Sequence, residues 1–260
     1  MSYIHRNDWG LKVVGGIVAA IAIALSPTSA SAQIERATVR EIFSSEEVGN
    51  LVFIDEIPAQ IDDIAAFQQE VSTEEAFVEL EFNNGAAGRL ASQSSVIIGQ
   101  CVEVRQGLLL ASGPANGCTA TFEVGVEGTF YLLEASDRGS RIQVLNGTVN
   151  LRPLSPDANN PPNPIVLRGG QQLAIDPAGI FGQIFPLSQE EVEGILQDSL
   201  FRDFESRLPG MKKLQQALER LYPDIHLPRL PGFKKFVPPL LPSSPAPSAP
   251  PAPNYWGSRE

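Results

Sequence analysis

The feature that most constrains this chain is a regular alternation of short β-prone runs with turn residues, from residue 37 to about residue 184. The runs are Ala37–Phe43, Leu51–Ile54, Phe77–Phe82, Val96–Ile98, Val102–Val104, Phe130–Leu133, Ile142–Leu145, Thr148–Leu151, Ile165–Leu167 and Gln172–Ile175. The turns are Asn83-Asn84-Gly85, Arg105-Gln106-Gly107, Asn116-Gly117, Asp137-Arg138-Gly139, Asn146-Gly147 and Gly169-Gly170. Short strands at this spacing predict an all-β domain.

Within one run, apolar residues recur at every second position, at Val78, Leu80 and Phe82. This alternation predicts a strand with one buried face and one solvent-exposed face.

Two other local patterns have an ordinary structural interpretation. Asn146-Gly147-Thr148 matches a glycosylation sequon, but Asn-Gly favours a two-residue hairpin turn. Paired acids such as Asp62-Asp63 and Glu74-Glu75 lack the spacing of a calcium loop, so we interpret them as solvated turns.

The hydrophobic period changes after Pro186. Ser188 and Glu191 match a capping box, and apolar residues then follow at helical spacing, which predicts a helix from about residue 189 to residue 204. A second helical stripe begins at Met211 and reaches Leu221. We therefore expect one or two amphipathic helices that pack on the β domain or on each other.

Both ends of the chain differ from its middle. Residues 1–32 carry a short apolar run and Ala30-Ser31-Ala32, which predicts a cleaved signal peptide; the alternative is a retained membrane anchor, for which the run is short. Eight prolines fall between Val237 and Pro253 and predict a disordered tail. The predicted divisions are a signal peptide (1–32), a β domain (33–184), a helical extension (185–222) and a Pro-rich disordered tail (223–260).

Composition restricts the chemistry. The chain has two His, two Cys and a formal net charge of −11, which argues against zinc sites, His-based catalysis and general nucleic-acid binding. We predict no catalytic residue, no metal site and no cofactor. Residues 33–82 hold thirteen acids and two bases, whereas residues 202–260 hold five acids and nine bases. The basic region from Arg202 onward is a candidate for positioning the protein on an anionic surface, and solvated faces are the alternative.

Cys101 and Cys118 are the only two cysteines. In an exported chain they predict a disulfide that staples a hairpin-like region from Gln100 to Thr119, with a stabilisation of about 3 kcal/mol. A redox-active pair is the alternative, but the Cys-x-x-Cys spacing is missing.

The β region as a whole resembles the FecR domain. Phe82–Leu90, Ser95–Gly99, Gly107–Leu110, Val126–Thr129, Val144–Val149 and Leu167–Gln171 match its strand and turn signatures in order. The motif residues are Gly85, Gly88, Gly99, Gly128, Thr129, Gly147, Gly170 and Gln171. The resemblance covers about residues 37–179 and implies a β-roll or β-solenoid-like fold. Glu127 stands where the family's Val-Arg-Gly-Thr stretch has Arg. We expect Gly128 and Gly147 to allow positive φ or close strand packing.

The resemblance is to short exported FecR-domain proteins of cyanobacterial type, without the anti-sigma segment. It implies a periplasmic or secreted sensing or protein-interaction module, with a part in envelope signalling or iron-uptake regulation. An envelope protein or a glycan is the expected partner, with no nucleic acid and no integral membrane segment after signal removal. The alternatives are an envelope scaffold and a glycan-binding or glycan-cleaving protein that uses an Asp/Glu pair.

Overall fold

The structure is a computed structural model that describes residues 33–44, 51–154 and 163–233. The chain divides into two units, Met1–Ser31 and Ala32–Glu260, and all of the described residues belong to the second. The predicted signal peptide and residues 234–260 of the predicted tail lie outside the described residues. In the described part, no helix has the length and apolar character needed to cross a membrane.

Strands occupy most of the described chain, and helices follow only after Pro186. The strands are β1 (Arg36–Ser44), β2 (Val52–Ile54), β3 (Ile57–Pro58), β4 (Ile64–Ala66), β5 (Glu70–Thr73), β6 (Ala76–Phe82), β7 (Ala87–Leu90), β8 (Ser95–Ile97), β9 (Val102–Gly113), β10 (Gly117–Cys118), β11 (Phe122–Val126), β12 (Thr129–Ser136), β13 (Gly139–Asn146), β14 (Thr148–Pro153), β15 (Ile165–Arg168), β16 (Gln171–Ile175) and β17 (Phe181–Pro186). The helices are α1 (Gln189–Gln197), α2 (Ser199–Arg202) and α3 (Met211–Leu221). The all-β prediction is confirmed.

The strands form two layers that share β9. The C-terminal part of β9 belongs to sheet A, whose order is β4-β1-β6-β7-β9-β12-β13-β16-β17. The N-terminal part belongs to sheet B, whose order is β3-β2-β5-β8-β9-β10-β11-β14-β15. All of these pairings are antiparallel except β9 with β10. Apolar side chains from both sheets, Val78 and Leu133 from sheet A and Val71 and Val124 from sheet B among them, join in one core.

Glycines lie where the chain passes between the sheets. Gly128, Gly147 and Gly170 connect β11 to β12, β13 to β14 and β15 to β16, and their φ values are +59°, +92° and +83°. The expectation of a hairpin at Asn146-Gly147 is wrong, because β13 pairs within sheet A and β14 within sheet B. The turn expected at Arg105-Gln106-Gly107 is likewise a bend inside β9, where the strand passes from sheet B to sheet A.

The C-terminal segment covers the outer face of sheet A, and we call residues 187–233 the cover. A second core joins Leu110, Phe130 and Leu145 of the sheet to Leu196 and Leu214 of the helices. The first predicted helix is shorter than expected. It ends at Gln197, because Asp198 adopts an extended conformation (φ −67°, ψ 154°) and caps α2.

The wet face expected for β6 is wrong at Glu79, which is buried because the cover lies on it. The described residues of the predicted tail also belong to the cover, since Leu230 is buried and Ile225, Leu227 and Phe233 pack against the second core. Much of the basic region from Arg202 onward therefore has a structural role in this fold.

Candidate functional site

Cys101 and Cys118 form a disulfide with a Cα–Cα distance of 5.8 Å. The region that it closes is not the hairpin expected from the sequence. Cys118 lies opposite Glu103 in the parallel pairing of β10 with β9, so the chain makes a return loop before the two strands run side by side. The bond fixes the one parallel pairing among the described strands, which indicates a structural role.

The family-motif residues lie apart in the fold rather than in one site. Gly85 lies in the β6–β7 turn with φ +78°, and Gly99 lies between β8 and β9. A Cβ added to Gly88 in β7 would lie 3.0 Å from Leu109 Cδ1 and 3.2 Å from the Phe82 ring, so the space at that point is tight. Thr129 and Gln171 begin the strands that follow two of the crossover glycines. Gln171 Oε1 accepts a hydrogen bond from the Arg168 amide at 2.7 Å, which closes the β15–β16 turn.

No three His, Cys, Asp or Glu side chains of the described residues converge to hold a metal ion. One open groove of about 480 Å³ lies along β5, β8 and β9, and its lining residues are Ser72, Thr73, Glu74, Glu75, Gln93, Ser94, Ser95 and Gln106. Three of them, Ser72, Ser95 and Gln106, face one another across the strands. The lining is polar and contains no aromatic residue on which a sugar ring could stack.

A buried ion pair is the most unusual polar feature of the described residues. Arg89 Nε donates to Glu79 Oε2 at 2.6 Å, and both side chains are less than one tenth exposed. The other guanidinium nitrogens donate to the carbonyl oxygens of Leu200 at 2.7 Å and Ser206 at 3.0 Å. Burial lowers the pKa of Arg89, while the nearby carboxylates of Glu79 and Glu41 oppose that shift. The centroid of the buried Phe204 ring lies 4.2 Å from the guanidinium carbon, which is a cation–π contact.

Glu41 extends the cluster along sheet A. It lies directly opposite Glu79, which in turn lies opposite Arg89, so three charged residues form one row across β1, β6 and β7. The Glu41 carboxylate accepts hydrogen bonds from the amides of Glu205 at 2.7 Å and Ser206 at 3.0 Å. Ser206 Oγ donates to Glu79. The row therefore binds the α2–α3 connection to the sheet.

This row of charged residues is not predictable from the sequence, because it depends on the register of the strands. Glu41, Glu79 and Arg89 are far apart along the chain, and only the pairing of β1 with β6 and β6 with β7 brings them together. In the sequence alone, Glu79 has the position of a residue on the polar face of an amphipathic strand.

The outer edge of sheet A, formed by β17, is open to solvent. The strand sequence Phe-Gly-Gln-Ile-Phe-Pro carries no charge, and Ile184 and Phe185 are 42% and 56% exposed. β17 pairs only with β16 among the described strands, so its other side has no strand partner within the described part of the chain. The opposite edge of the sandwich is formed by β3 and β4, where Ile57 and Ile64 are 68% and 56% exposed. β17 is a strand that was not predicted from the sequence, although its uncharged, partly apolar run is visible there.

Comparison with known proteins gives limited similarity. No family model matches the chain, and no curated protein matches it. Two crystal structures of a proposed anti-sigma factor from Parabacteroides distasonis, at 1.65 Å and 2.50 Å resolution, are similar to it. Each is 16% identical over 59% of this chain and 74% of the other, with a TM-score of 0.42. The functional assignment therefore depends on the geometry of the chain itself.

Proposed function

We propose that this chain is a non-enzymatic interaction module that works outside the cytoplasm and binds an envelope protein through the β17 edge. The observation that carries the proposal is the combination in β17 of unpaired backbone and exposed apolar side chains without a charge. Edge strands of folded proteins are often protected from pairing with another chain by charges, Pro or a bulge. β17 ends at Pro186 and has an extra residue between Phe181 and Ile184 in its pairing with β16, but it carries no charge. An uncharged, exposed edge is what a binding site for an added strand requires.

Strand addition would use both kinds of group that β17 presents. Its free amides and carbonyls can form main-chain hydrogen bonds with a partner strand, and its alternate side chains can enter pockets of that partner. Phe181 is anchored in the sandwich core by an edge-to-face contact with Phe122, at a ring distance of 5.9 Å. The strand is therefore fixed at its start, which lowers the entropic cost of binding.

Export is supported by two independent features. Disulfides persist mainly in oxidising compartments, and Cys101 and Cys118 are bonded. The first 32 residues have the pattern of a cleaved signal peptide. The FecR resemblance extends the proposal to a part in envelope signalling, with iron-uptake regulation as its narrowest form.

Glycan binding is the second candidate, and the polar groove on sheet B is the observation that favours it. Its hydroxyl, amide and carboxylate groups can hydrogen-bond to sugar hydroxyls, and Glu75 already accepts from Gln93 at 3.0 Å. An envelope scaffold is a third form of the same non-enzymatic class.

Capture from envelope extract tests the proposal. The unit Ala32–Glu260 is immobilised, and the bound material is analysed for protein and for sugar. We expect a stoichiometric protein that Ile184→Lys no longer captures, because a charge in β17 opposes strand addition. Gln216→Lys, which adds the same charge on the exposed side of α3, should capture it normally. Sugar without protein, or hydrolysis of envelope glycan that is lost in Glu75→Gln, would contradict the proposal.

A further inference from the structure

Gln33 lies at the point where the chain enters the sandwich. The next residue, Ile34, is 2% exposed and belongs to the core. Asn83, in the β6–β7 turn, accepts hydrogen bonds from the amides of Glu35 at 2.8 Å and Arg36 at 3.3 Å. The side-chain amide of Asn83 donates to the carbonyl oxygen of Gln33 at 3.1 Å. The backbone is therefore anchored from Gln33 onward, whereas Gln33 itself is exposed to solvent.

Two features favour cleavage of the exported chain directly before Gln33. Ala30-Ser31-Ala32 is the small-residue pattern after which signal peptides are cut, and Gln33 is the next residue. The compact unit that contains all of the described residues begins at Ala32, one residue earlier. A cut after Ile34 would remove a side chain from the core. Cleavage before Gln33 therefore keeps the fold complete and gives the mature protein an N-terminal glutamine.

An N-terminal glutamine carries both reactants of an intramolecular substitution. Its α-amino nitrogen attacks the Cδ carbon of its own side-chain amide, and the Cδ–Nε2 bond breaks as the new C–N bond forms. The amide nitrogen leaves as ammonia and takes the proton that the amine gives up, so no oxidant, reductant or second substrate is needed. The product is a five-membered lactam, pyroglutamate. The α-amino group is partly unprotonated at neutral pH, and the two groups are held close by the side chain itself.

We propose that Gln33 of the exported chain cyclises to pyroglutamate and so blocks the N-terminus of the mature protein. The proposal rests on the export that is part of the proposed function. The anchoring bond to Asn83 uses the Gln33 carbonyl oxygen, which the lactam keeps, so cyclisation leaves that contact in place. The blocked end also protects the fold, because an aminopeptidase that removed Gln33 would next remove Ile34 from the core.

Mass spectrometry of the exported protein tests the proposal. The complete chain is produced in a bacterial host and recovered from the periplasm. Its free amines are acylated before digestion, so that cyclisation during handling is not counted, and chymotrypsin then releases the peptide of residues 33–43. We expect this peptide to be lighter than its sequence by one ammonia and to carry no acyl label at its N-terminus.

Gln33→Asn is the matched control. It keeps a side-chain amide, but its shorter side chain would have to form a strained four-membered lactam. Its N-terminal amine should therefore be labelled, and an aminopeptidase should remove Asn from this variant while it leaves the wild type intact. An equal loss of ammonia in both proteins would overturn the proposal.

Two further results would contradict cyclisation in ways that separate it from the proposed function. A wild-type protein that starts at Gln33 with a labelled amine would overturn the proposal, and the proposed function would stand because export has occurred. A protein that starts at another residue would also overturn it. If that residue is Met1 and the protein stays in the cytoplasm, the export on which the proposed function depends fails as well.

Discussion

Sheet A is covered on its outer face but exposed at its β17 edge. The outer face is closed by the cover, which buries apolar side chains and binds the charged row of Glu41, Glu79 and Arg89. The β17 edge carries apolar side chains and free backbone groups without any such closure among the described residues. A surface that the chain covers itself contributes to stability, whereas one that it leaves open is available for binding.

The largest expected effect is a loss of stability when the charged row under the cover is disrupted. Glu79→Ala leaves the Arg89 charge buried without its carboxylate, so we expect a loss of about 3–5 kcal/mol in the free energy of unfolding. The measurement is urea denaturation followed by circular dichroism. Glu81→Ala is the control on the same strand: it removes an exposed ion pair with Arg40, which solvent screens, so the loss should be much smaller than that of Glu79→Ala.

The double variant Glu79→Leu with Arg89→Met sharpens this test. Both charges are then absent, so the loss should be much smaller than that of Glu79→Ala alone. Equal losses in the single and double variants would show that an unpaired buried charge is not what destabilises Glu79→Ala.

The next largest loss of stability is expected at the glycines where the chain crosses from one sheet to the other. Gly147→Ala combines a φ of +92° with a new Cβ 2.5 Å from Thr129 Cγ2, so we expect a loss of about 2–4 kcal/mol. Gly128→Ala is the matched control, because its φ is +59° but no atom lies within 4 Å of the new Cβ. It should cost about 1 kcal/mol. Equal costs measured by thermal unfolding would contradict the crowding at Gly147.

Substitutions at the start of α1 should have a smaller effect on the stability of the cover, and part of that effect should depend on pH. Ser188→Ala removes the cap hydrogen bond to the Glu191 amide and should cost about 1 kcal/mol. The Ser188 amide and the Gln172 side chain donate to Glu191 and hold its pKa below the usual value. The carboxylate therefore stabilises the fold above its unfolded pKa, and that contribution disappears as pH falls through the folded pKa.

Comparison of Glu191→Gln with the wild type measures that pH dependence. The difference in unfolding free energy should be constant near neutral pH and shrink below about pH 4. A difference that stays constant down to acid pH would show that the capping carboxylate does not contribute.

The smallest expected effect on stability belongs to the open edge. Ile184→Lys and Gln216→Lys both add a charge to an exposed position, so each should change the free energy of unfolding by less than about 0.5 kcal/mol. Only Ile184→Lys should reduce capture of an envelope protein. A large loss of stability in Ile184→Lys would mean that β17 belongs to the core, and the comparison between the two surfaces would fail.

Local patterns predicted much of the fold because they depend on neighbours in sequence. The alternation at Val78, Leu80 and Phe82, the capping box at Ser188 and the stripe of α3 are all of this kind. The row at Glu79 and the parallel pairing of β10 with β9 could not be predicted, since each depends on strands whose register is set by tertiary contacts. The hairpin expected at Gly147 failed for the same reason: positive φ suits a crossover between layers as well as a tight turn.

Site-specific photo-crosslinking tests the central claim, that the β17 edge is the binding surface. A photoreactive residue is placed at position 184 in one sample and at position 216 in another, and both are exposed to envelope extract. The account predicts a defined protein adduct from position 184 and none from position 216. Adducts from position 216 alone, or no adduct from position 184 in a correctly folded protein, would contradict it.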